Sequence, residues 1–400
     1  MSAEFTFLTT CLRQETKISG VDLVALAGQN SVDWKALILL ARKHGVLSAL
    51  FLAVRDSSDN LPEETRGQLT REYHAAIGRN VFVVSEFDKV IRLFREAGIQ
   101  SIPYKGPMLS ELLFGQAAVR ESKDIDLVVR KEDLMRAKAL LEQEGYQSDG
   151  AQTEDEERFL LNSRKEASYD LKLPYASGNG KRLKIELHWR LPLTSSVPED
   201  WYWAELEKSK VADGELLHFN PEALLLILLT HGFRHYWESL KWLSDIDLLV
   251  RKRDDLDWAK FFDLANQLGV RRVVLFGLFL SRDLLGTPLP KIVEDKVSEE
   301  PFVRKLVPGA VENMTGLQRC PVGLWNNLRI RERIKDRVYY LRNIVDYLFV
   351  PEITDYQRLP LPRLLWPLYW GIRPMKVLLC MRHKYGVHRF TRVLFGKRGG

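Results

Sequence analysis

The sequence predicts an α-rich α+β fold, in which a core built on a mixed β-sheet with helices is flanked by N-terminal helices and a helical C-terminal half. Apolar residues recur at three- and four-residue spacing over most of the chain, whereas alternating segments are confined to its second quarter. Helix and strand interleave there, which is typical of an α/β unit. We therefore expect an N-terminal helical segment (1–99), an α/β core (100–219), a helical domain (220–355) and a basic, aromatic-rich C-terminal segment (356–400).

The first part of the chain has the apolar spacing of helices. This spacing runs from Trp34 to Leu50 and again from Val81 to Phe94, and Gly98 is placed to end the second of these helices. From residue 100 onward, short elements replace the long helices. We expect an extended segment at 100–104, a helix at 107–114, a strand at 125–129, a helix at 134–145, and strands at 167–173 and 183–189 separated by a turn at 177–180.

A new helical pattern begins at Asn220 and Pro221. Asn is a good N-cap and Pro is favoured as the first helical residue, so this pair predicts the start of a helix. Helical periodicity then continues almost to the end of the chain. It predicts helices near 221–252, 256–286, 298–313 and 323–350.

Charge is distributed unevenly along the 400 residues. The chain has 59 Lys and Arg against 53 Asp and Glu, a net charge of +6. Ten of the bases and none of the acids lie in 356–400, so the remainder has 49 bases against 53 acids, a charge of −4. Basic residues interleaved with aromatic ones occur in nucleic-acid sites and in helices on anionic membranes. For this segment we favour a helix packed on the acidic body, with peripheral membrane contact next and nucleic-acid contact last.

The remaining composition predicts a cytoplasmic globular protein. Apolar residues make up 46% of the chain, which excludes a mainly disordered or collagen-like protein. The three cysteines are scattered and odd in number, which fits neither a disulfide framework nor a Cys-based zinc site. The N-terminal residues lack the features of a signal peptide, and no apolar run approaches the length of a membrane-spanning helix. We therefore expect a reducing compartment.

Two aspartates in the strand at 125–129 and its flank form the main candidate for chemistry. Asp124 and Asp126 are two residues apart, so on a strand their carboxylates project from one face while Ile125 packs behind them. Such a pair can hold two Mg²⁺ ions roughly 3.5–4 Å apart, with Mn²⁺ as the alternative ion. Glu186 lies on another alternating segment and is the candidate third carboxylate, with His188 on the same face.

Phosphate-binding features precede this pair. The sequence around Lys105 and Gly106 stops a strand and opens a helix, which offers backbone N–H groups and the positive end of a helix dipole to a phosphate. Arg120 and Lys123 add cations beside the aspartates. Pro107 removes one N–H donor from the turn.

Taken together, these residues resemble a known family. The chain is similar to a bacterial nucleotidyltransferase family that has a polymerase-β-like fold and is often described only as uncharacterised. The similar motifs are Lys105-Gly106, Arg120, the run from Asp124 to Val128 and the run from Glu186 to Trp189. The resemblance covers about residues 30–290 and includes the helix from His231 to Asp245. The wider superfamily places Gly-Ser or Gly-Gly at the phosphate turn, whereas here Pro107 follows Gly106.

The resemblance implies an enzyme that transfers a nucleoside monophosphate from an NTP, most often ATP, to an acceptor hydroxyl, with release of pyrophosphate. Asp124, Asp126 and Glu186 would be the catalytic, metal-binding carboxylates. The residues expected at the nucleotide are Lys105, Gly106, Arg120, Lys123, His188, His231 and His235. The alternative is a catalytically inactive nucleotide-binding or regulatory module on the same fold, docked to a membrane surface or a polymer through its basic tail.

A second string, beginning at Asp245 and Asp247, repeats the pattern of the first. It follows a long helical pattern without proline, so we predict that it is helical and that its two carboxylates diverge around the helix axis. Helical spacing also places Asp245 on one stripe with His231, His235, Glu238 and Trp242. This stripe is either a polar seam between helices or a wall that contacts the nucleotide. Zinc binding by the two histidines is less favoured, because no third ligand accompanies them.

His188 has two interpretations at this stage. An imidazole has an ordinary pKa of about 6.5, which suits a general base. A carboxylate of the metal site can do the same work, and a His beside Trp189 is often a packed residue with one hydrogen bond. The sequence leaves the role of His188 open.

Overall fold

The structure is a computed structural model that describes residues 2–13, 32–55, 61–148, 153, 156–157, 168–173, 183–191, 193, 197–211, 214–315 and 323–377. The predicted turn at 177–180 lies outside these residues. The N-terminal part forms α1 (Ala3–Leu12), α2 (Trp34–His44), α3 (Leu47–Val54) and α4 (Glu63–Glu96). As predicted, α4 ends just before Gly98, which takes a positive φ of 69° while Ile99 N–H closes the turn onto the Phe94 carbonyl.

The α/β core follows the predicted order of elements. It contains β1 (Ser101–Pro103), α5 (Gly106–Phe114), β2 (Asp124–Val129), α6 (Leu134–Gln143), β3 (Gln147–Ser148), β4 (Ser168–Leu173) and β5 (Leu183–His188). These strands form a sheet in the order β1-β2-β5-β4-β3, in which β2 and β5 are parallel and the other neighbours are antiparallel. The predicted mixed sheet is confirmed.

The sheet has one apolar and one polar face at its centre. Ile125 and Leu127 on β2, with Ile185 and Leu187 on β5, are buried in a core shared with α4 and α6. Because successive side chains of a strand point to opposite faces, the carboxylates between them project away from this core. Packing of the apolar side chains in the core therefore determines that the carboxylates point to the opposite face.

A helix and a two-stranded hairpin that the sequence did not predict follow the sheet. The helix α7 (Glu199–Ala204) leads into a hairpin of β6 (Leu206–Val211) and β7 (Gly214–Phe219). The chain then enters the helical half at α8 (Pro221–Arg234), where the Asn220 side chain accepts the Ala223 N–H at 2.9 Å. This is the predicted cap.

The helical half contains more breaks than the periodicity predicts. Its helices are α8, α9 (Leu240–Lys252), α10 (Trp258–Leu268), α11 (Arg271–Leu285), α12 (Lys291–Ser298), α13 (Pro301–Arg304), α14 (Val307–Thr315), α15 (Leu324–Ile330), α16 (Ile334–Phe349) and α17 (Ile353–Arg358). The single helix expected at 221–252 is wrong: the chain turns at Tyr236 and Trp237, both of which have positive φ. The helix expected at 256–286 is divided at Gly269, where φ is 69°.

The N-terminal helices and the helical half share one buried apolar core. Phe5 and Leu8 of α1 and Leu37 of α2 lie in the same cluster as Leu243 of α9 and Phe276 of α11. Within the described residues, no helix is long and apolar enough to cross a membrane.

A buried histidine joins these two parts. His44 Nδ1 accepts the Leu240 N–H at 3.2 Å, and the His44 carbonyl accepts the Ser239 hydroxyl at 2.8 Å. His44 Nε2 is buried without a hydrogen-bond partner among the described residues. The start of α9 is thereby tied to the end of α2 through a neutral imidazole.

This contact predicts sensitivity to acid. Burial, helped by the neighbouring charge of Lys43, lowers the pKa of His44 to about 4. Because the unfolded chain takes up this proton near pH 6.5, stability is complete above that pH and is lost as the pH falls towards 4. The loss at this residue approaches about 3 kcal/mol. His44→Asn retains an acceptor for Leu240, so chemical denaturation should give a smaller decrease between pH 7 and pH 4 than in the wild type. Equal decreases in both proteins would refute this assignment.

Candidate active site

The carboxylates meet where the two central parallel strands pair. Asp126 of β2 is the register partner of Glu186 of β5, and Val128 is the partner of His188. Asp126, Glu186 and His188 therefore lie on one face of adjacent strands. Each of these three offers one ligand atom, and the atoms lie within 4.8 Å of one another.

His188 lies at the centre of this group. Its Nε2 atom is 3.3 Å from Oδ1 of Asp126 and 3.3 Å from Oε2 of Glu186. The other oxygen of Glu186 pairs with Lys184, whose ammonium also contacts Asp170 at 3.1 Å. The two carboxylates and the imidazole are thus held in place by charged partners.

The junction between β1 and α5 adds a cation and a hydroxyl to the group. Tyr104 donates its hydroxyl to Asp126 Oδ1 at 3.3 Å, and Lys105 Nζ lies 3.8 Å from the same oxygen. Gly106, the first residue of α5, has a φ of 64°, a conformation that side chains with a Cβ rarely adopt. This turn brings Lys105 beside Asp126, and the predicted change from strand to helix at Gly106 is present.

Burial and neighbouring charges perturb the pKa values of these groups. For Asp126, burial alone favours the neutral acid, but Lys105 and His188 outweigh it and lower the pKa. The pKa of His188 is raised despite its burial, because it bonds to Asp126 and Glu186. For Asp124, burial and then the Asp126 charge raise the pKa. Among the three neighbouring carboxylates, Asp124 is therefore the one whose charged form is disfavoured.

These residues fit a divalent cation. Two carboxylate oxygens and the Nε2 atom of His188 form a mixed oxygen and nitrogen set. Mg²⁺ prefers oxygen ligands, whereas Mn²⁺ also accepts imidazole. Asp126, Glu186 and His188 form the cluster, with Asp124 beside it on β2.

Helices α8 and α9 form the opposite wall of a cavity of about 320 Å³. The rings of His231, His235 and Trp242 contact one another there, with centroids between 4.6 and 5.4 Å apart. Three members of the predicted stripe therefore lie together, but they come from two helices that are separated by a turn. Its members Glu238 and Asp245 do not line the cavity.

Four cationic side chains line the cavity. These are Lys105, Arg120, Arg234 and Lys241. Arg120 is held by Asp245 through two hydrogen bonds of 2.7 and 2.8 Å. Burial and the nearby Arg120 charge lower the pKa of Lys241 to about 8. Lys123, which the sequence analysis also named, is exposed and does not line the cavity.

The second aspartate string is helical, as predicted. Asp245 and Asp247 lie in α9 and are buried, but they have separate partners. Asp245 pairs with Arg120, whereas Asp247 pairs with Arg251 at 2.9 Å and accepts the Thr287 hydroxyl. The two carboxylates do not form a second metal site.

Sequence reasoning missed three polar residues of the cavity: Tyr104, Arg234 and Lys241. Tyr104 directly precedes Lys105, so the strand-to-helix motif contained a signal for it. Arg234 and Lys241 flank the unpredicted turn between α8 and α9. They enter the cavity only because the chain reverses there.

Crowding of negative charge predicts the effect of Asp124→Asn. Removing one carboxylate relieves repulsion with Asp126, so the thermal unfolding midpoint without divalent cations should rise by about 2–4 °C. Mn²⁺ relieves the same repulsion, so the midpoint of the variant should rise less on its addition than that of the wild type. Calorimetry with EDTA and then with Mn²⁺ measures both values. Glu142→Gln, on the exposed surface of α6, controls for loss of charge, and a lower midpoint for Asp124→Asn in EDTA would contradict the prediction.

Comparison with known proteins gives one result that bears on this site. Residues 30–286 match the model of a family described as an uncharacterised nucleotidyltransferase. No curated protein and no solved structure matches the chain. The match spans α2 to α11 and so includes the sheet, both walls of the cavity and the turn between α8 and α9.

Proposed function

The chain belongs to the uncharacterised nucleotidyltransferase family, and on that premise we propose that it transfers a nucleoside monophosphate from an NTP, ATP foremost, to an acceptor hydroxyl. The observation that carries this proposal is the convergence of Asp126, Glu186 and His188 opposite a wall of cations and aromatic rings. Anionic phosphates need both a divalent cation and positive side chains. The cavity offers residues that would hold the cation, and it is lined by lysines and arginines.

A divalent cation would be held by Asp126, Glu186 and His188, with Asp124 as an added carboxylate. When bound, it would supply positive charge to the phosphate oxygens and to the leaving group. Tyr104 and Lys105 then have positioning roles, because both contact the Oδ1 atom of Asp126. The ion is Mg²⁺ or Mn²⁺ in this proposal.

The triphosphate would lie between the carboxylates and the cations. Three positive side chains line the cavity and would contact the phosphates: Lys105, Lys241 and Arg234. Arg120 is oriented by Asp245 and has N–H groups left over from that pair, so it is the fourth phosphate contact in our proposal. In this proposal Gly106 also contacts the triphosphate through its backbone at the start of α5, and Lys123 is an outer cation.

The base or the acceptor would contact the aromatic part of the wall. His231, His235 and Trp242 form a compact group of rings, and such rings stack on nucleobases without strong preference among them. Burial and the Lys105 charge lower the pKa of His231, which favours a neutral ring there. This wall is the proposed nucleoside site.

In the reaction, the acceptor oxygen forms a bond to the α-phosphorus while the bond between that phosphorus and the bridging oxygen to the β-phosphate breaks. Pyrophosphate leaves with that oxygen and its electron pair, and the proton of the acceptor hydroxyl passes to a base. Asp124 is our candidate base, because the other carboxylates are already engaged by His188 and by lysines. The cavity contributes mainly orientation and charge stabilisation.

Pyrophosphate release is the direct test. Purified protein with each α-labelled NTP, Mg²⁺ or Mn²⁺ and a cell extract should release pyrophosphate and transfer label to one class of acceptor. The acceptor is then identified from the labelled product. NTP binding without pyrophosphate release under every condition would instead identify the inactive nucleotide-binding module.

A further inference from the structure

An apolar stripe runs along the exposed side of α16. Ile334, Val338, Leu341 and Val345 recur at spacings of four, three and four residues, so they lie on one side of the helix. All four are exposed, with Ile334 at 75%. Only Asp336 among the 16 residues of α16 is buried.

The segment after α17 presents further apolar side chains. It runs through a 3-10 turn at Arg363–Leu368 and a helical stretch at 369–377. Leu364 is 93% exposed and Met375 is 66% exposed, with Leu368 and Trp370 also exposed between them. Monomeric proteins rarely expose so many large apolar residues in one region.

Arg373 joins this segment to α16 and to the residue before α17, and a further hydrogen bond lies within the segment. Arg373 donates to the Tyr347 carbonyl at 3.2 Å and pairs with Glu352 at 2.6 Å. The Leu361 N–H donates to the Tyr369 hydroxyl at 3.0 Å. The exposed apolar residues of both segments therefore belong to one structured region, which we call the C-terminal apolar face (α16 and 363–377).

This face is positively charged. Residues 334–349 and 363–377 contain six Lys and Arg against two Asp, and the wider range 323–377 contains ten Lys and Arg against five Asp and Glu. Each of the five acids pairs with an arginine, so the excess charge is carried by bases such as the exposed Lys335 and Arg358. A further six bases and no acid follow in residues 378–400.

We propose that the C-terminal apolar face binds the surface of an anionic lipid bilayer. Charge complementarity identifies the occupant, because lysines and arginines are attracted to anionic headgroups while the leucines, isoleucine and valines enter the headgroup and acyl boundary. Trp325 and Trp370 are exposed in the same region and belong to the residue type that concentrates at membrane interfaces. The protein is a peripheral one in this proposal, consistent with the lack of a membrane-crossing helix among its described residues.

The C-terminal apolar face is separate from the candidate active site. Leu364 and Leu368 lie outside the cavity and outside residues 30–286 that match the family. The proposal therefore goes beyond nucleotidyl transfer and does not depend on it. Loss of one property leaves the other measurable.

Vesicle sedimentation tests the proposal on the full chain. Vesicles of phosphatidylglycerol and phosphatidylcholine should bind the wild type, pure phosphatidylcholine should bind it more weakly, and added salt should reduce binding to the anionic vesicles. The Leu364→Glu/Leu368→Glu variant should bind the anionic vesicles at least about 10-fold more weakly. Leu39→Glu/Val81→Glu is the matched control, since these residues are 60% and 55% exposed on α2 and α4. It should bind as the wild type does.

Circular dichroism shows whether each variant is folded. Absence of wild-type binding to anionic vesicles, or equal binding by both double variants, would overturn the proposal. The wild type could instead self-associate without binding vesicles. If the Leu364→Glu/Leu368→Glu change abolished that self-association, the face would be assigned to a second copy of the chain. Binding of RNA but not of vesicles would overturn it as well.

Discussion

We expect Asp126→Asn to reduce pyrophosphate release by at least about 10³-fold, with NTP binding weakened much less. Asp126 is the residue that connects the site, because its Oδ1 atom contacts Tyr104, Lys105 and His188. The amide keeps the shape of the side chain but removes its charge. Single-turnover assays with saturating Mg²⁺ or Mn²⁺ measure the chemical step separately from binding.

Asp247→Asn is a matched control for this variant. Asp247 lies in the repeated string and is buried, but it pairs with Arg251 and Thr287 and does not line the cavity. Its substitution should lower stability while the turnover of the folded protein stays within about threefold of the wild type. If Asp126→Asn kept more than a tenth of wild-type turnover, the metal and catalytic assignment of Asp126 would be wrong.

The sheet and its carboxylates could be predicted because their signals are local. Alternation of apolar and polar residues from Asp124 to Val129 specifies a strand and its two faces. The parallel register that places Asp126 beside Glu186 is not local, since about 60 residues separate the strands. The resemblance to the family implied that Glu186 joins the two aspartates, but the register of the two strands comes from the structure alone.

The turn between α8 and α9 could not be predicted because tertiary packing creates it. No Gly or Pro marks residues 234–240, and two large residues, Tyr236 and Trp237, take positive φ. Trp237 is 1% exposed, and its ring occupies the space where a Cβ on Gly232 or Gly277 would lie. Burial of this indole favours the strained turn. That turn then directs Arg234 and Lys241 into the cavity.

The partner of Arg120 could not be predicted from the sequence either. We predicted a cation beside the aspartates that binds the triphosphate, and the structure holds it by Asp245, 125 residues away. Its position and its partner therefore suggest two roles, a structural one and a phosphate-binding one. Substitution of Asp245 separates them.

Asp245→Asn should lower the free energy of unfolding by about 3–5 kcal/mol. The guanidinium of Arg120 and the carboxylate of Asp245 are 5% and 3% exposed, so the amide leaves a buried positive charge without its counterion. Urea denaturation measures this loss. Asp255→Asn is the matched control, because Arg253 pairs with Asp255 through the same two nitrogens at 2.8 and 2.9 Å but the carboxylate is 68% exposed. Its substitution should leave the denaturation midpoint unchanged within error.

Replacing both partners distinguishes the two roles of Arg120. In Arg120→Met/Asp245→Leu no charge is left unpaired, so most of the stability lost in Asp245→Asn should return. If Arg120 also binds the triphosphate, this stable double variant will still have a raised KM for the NTP, because a cation is missing from the cavity. Wild-type KM in the double variant would restrict Arg120 to a structural role. Failure of the double variant to regain stability would show that the ion pair, and not the uncompensated charge, determines the loss.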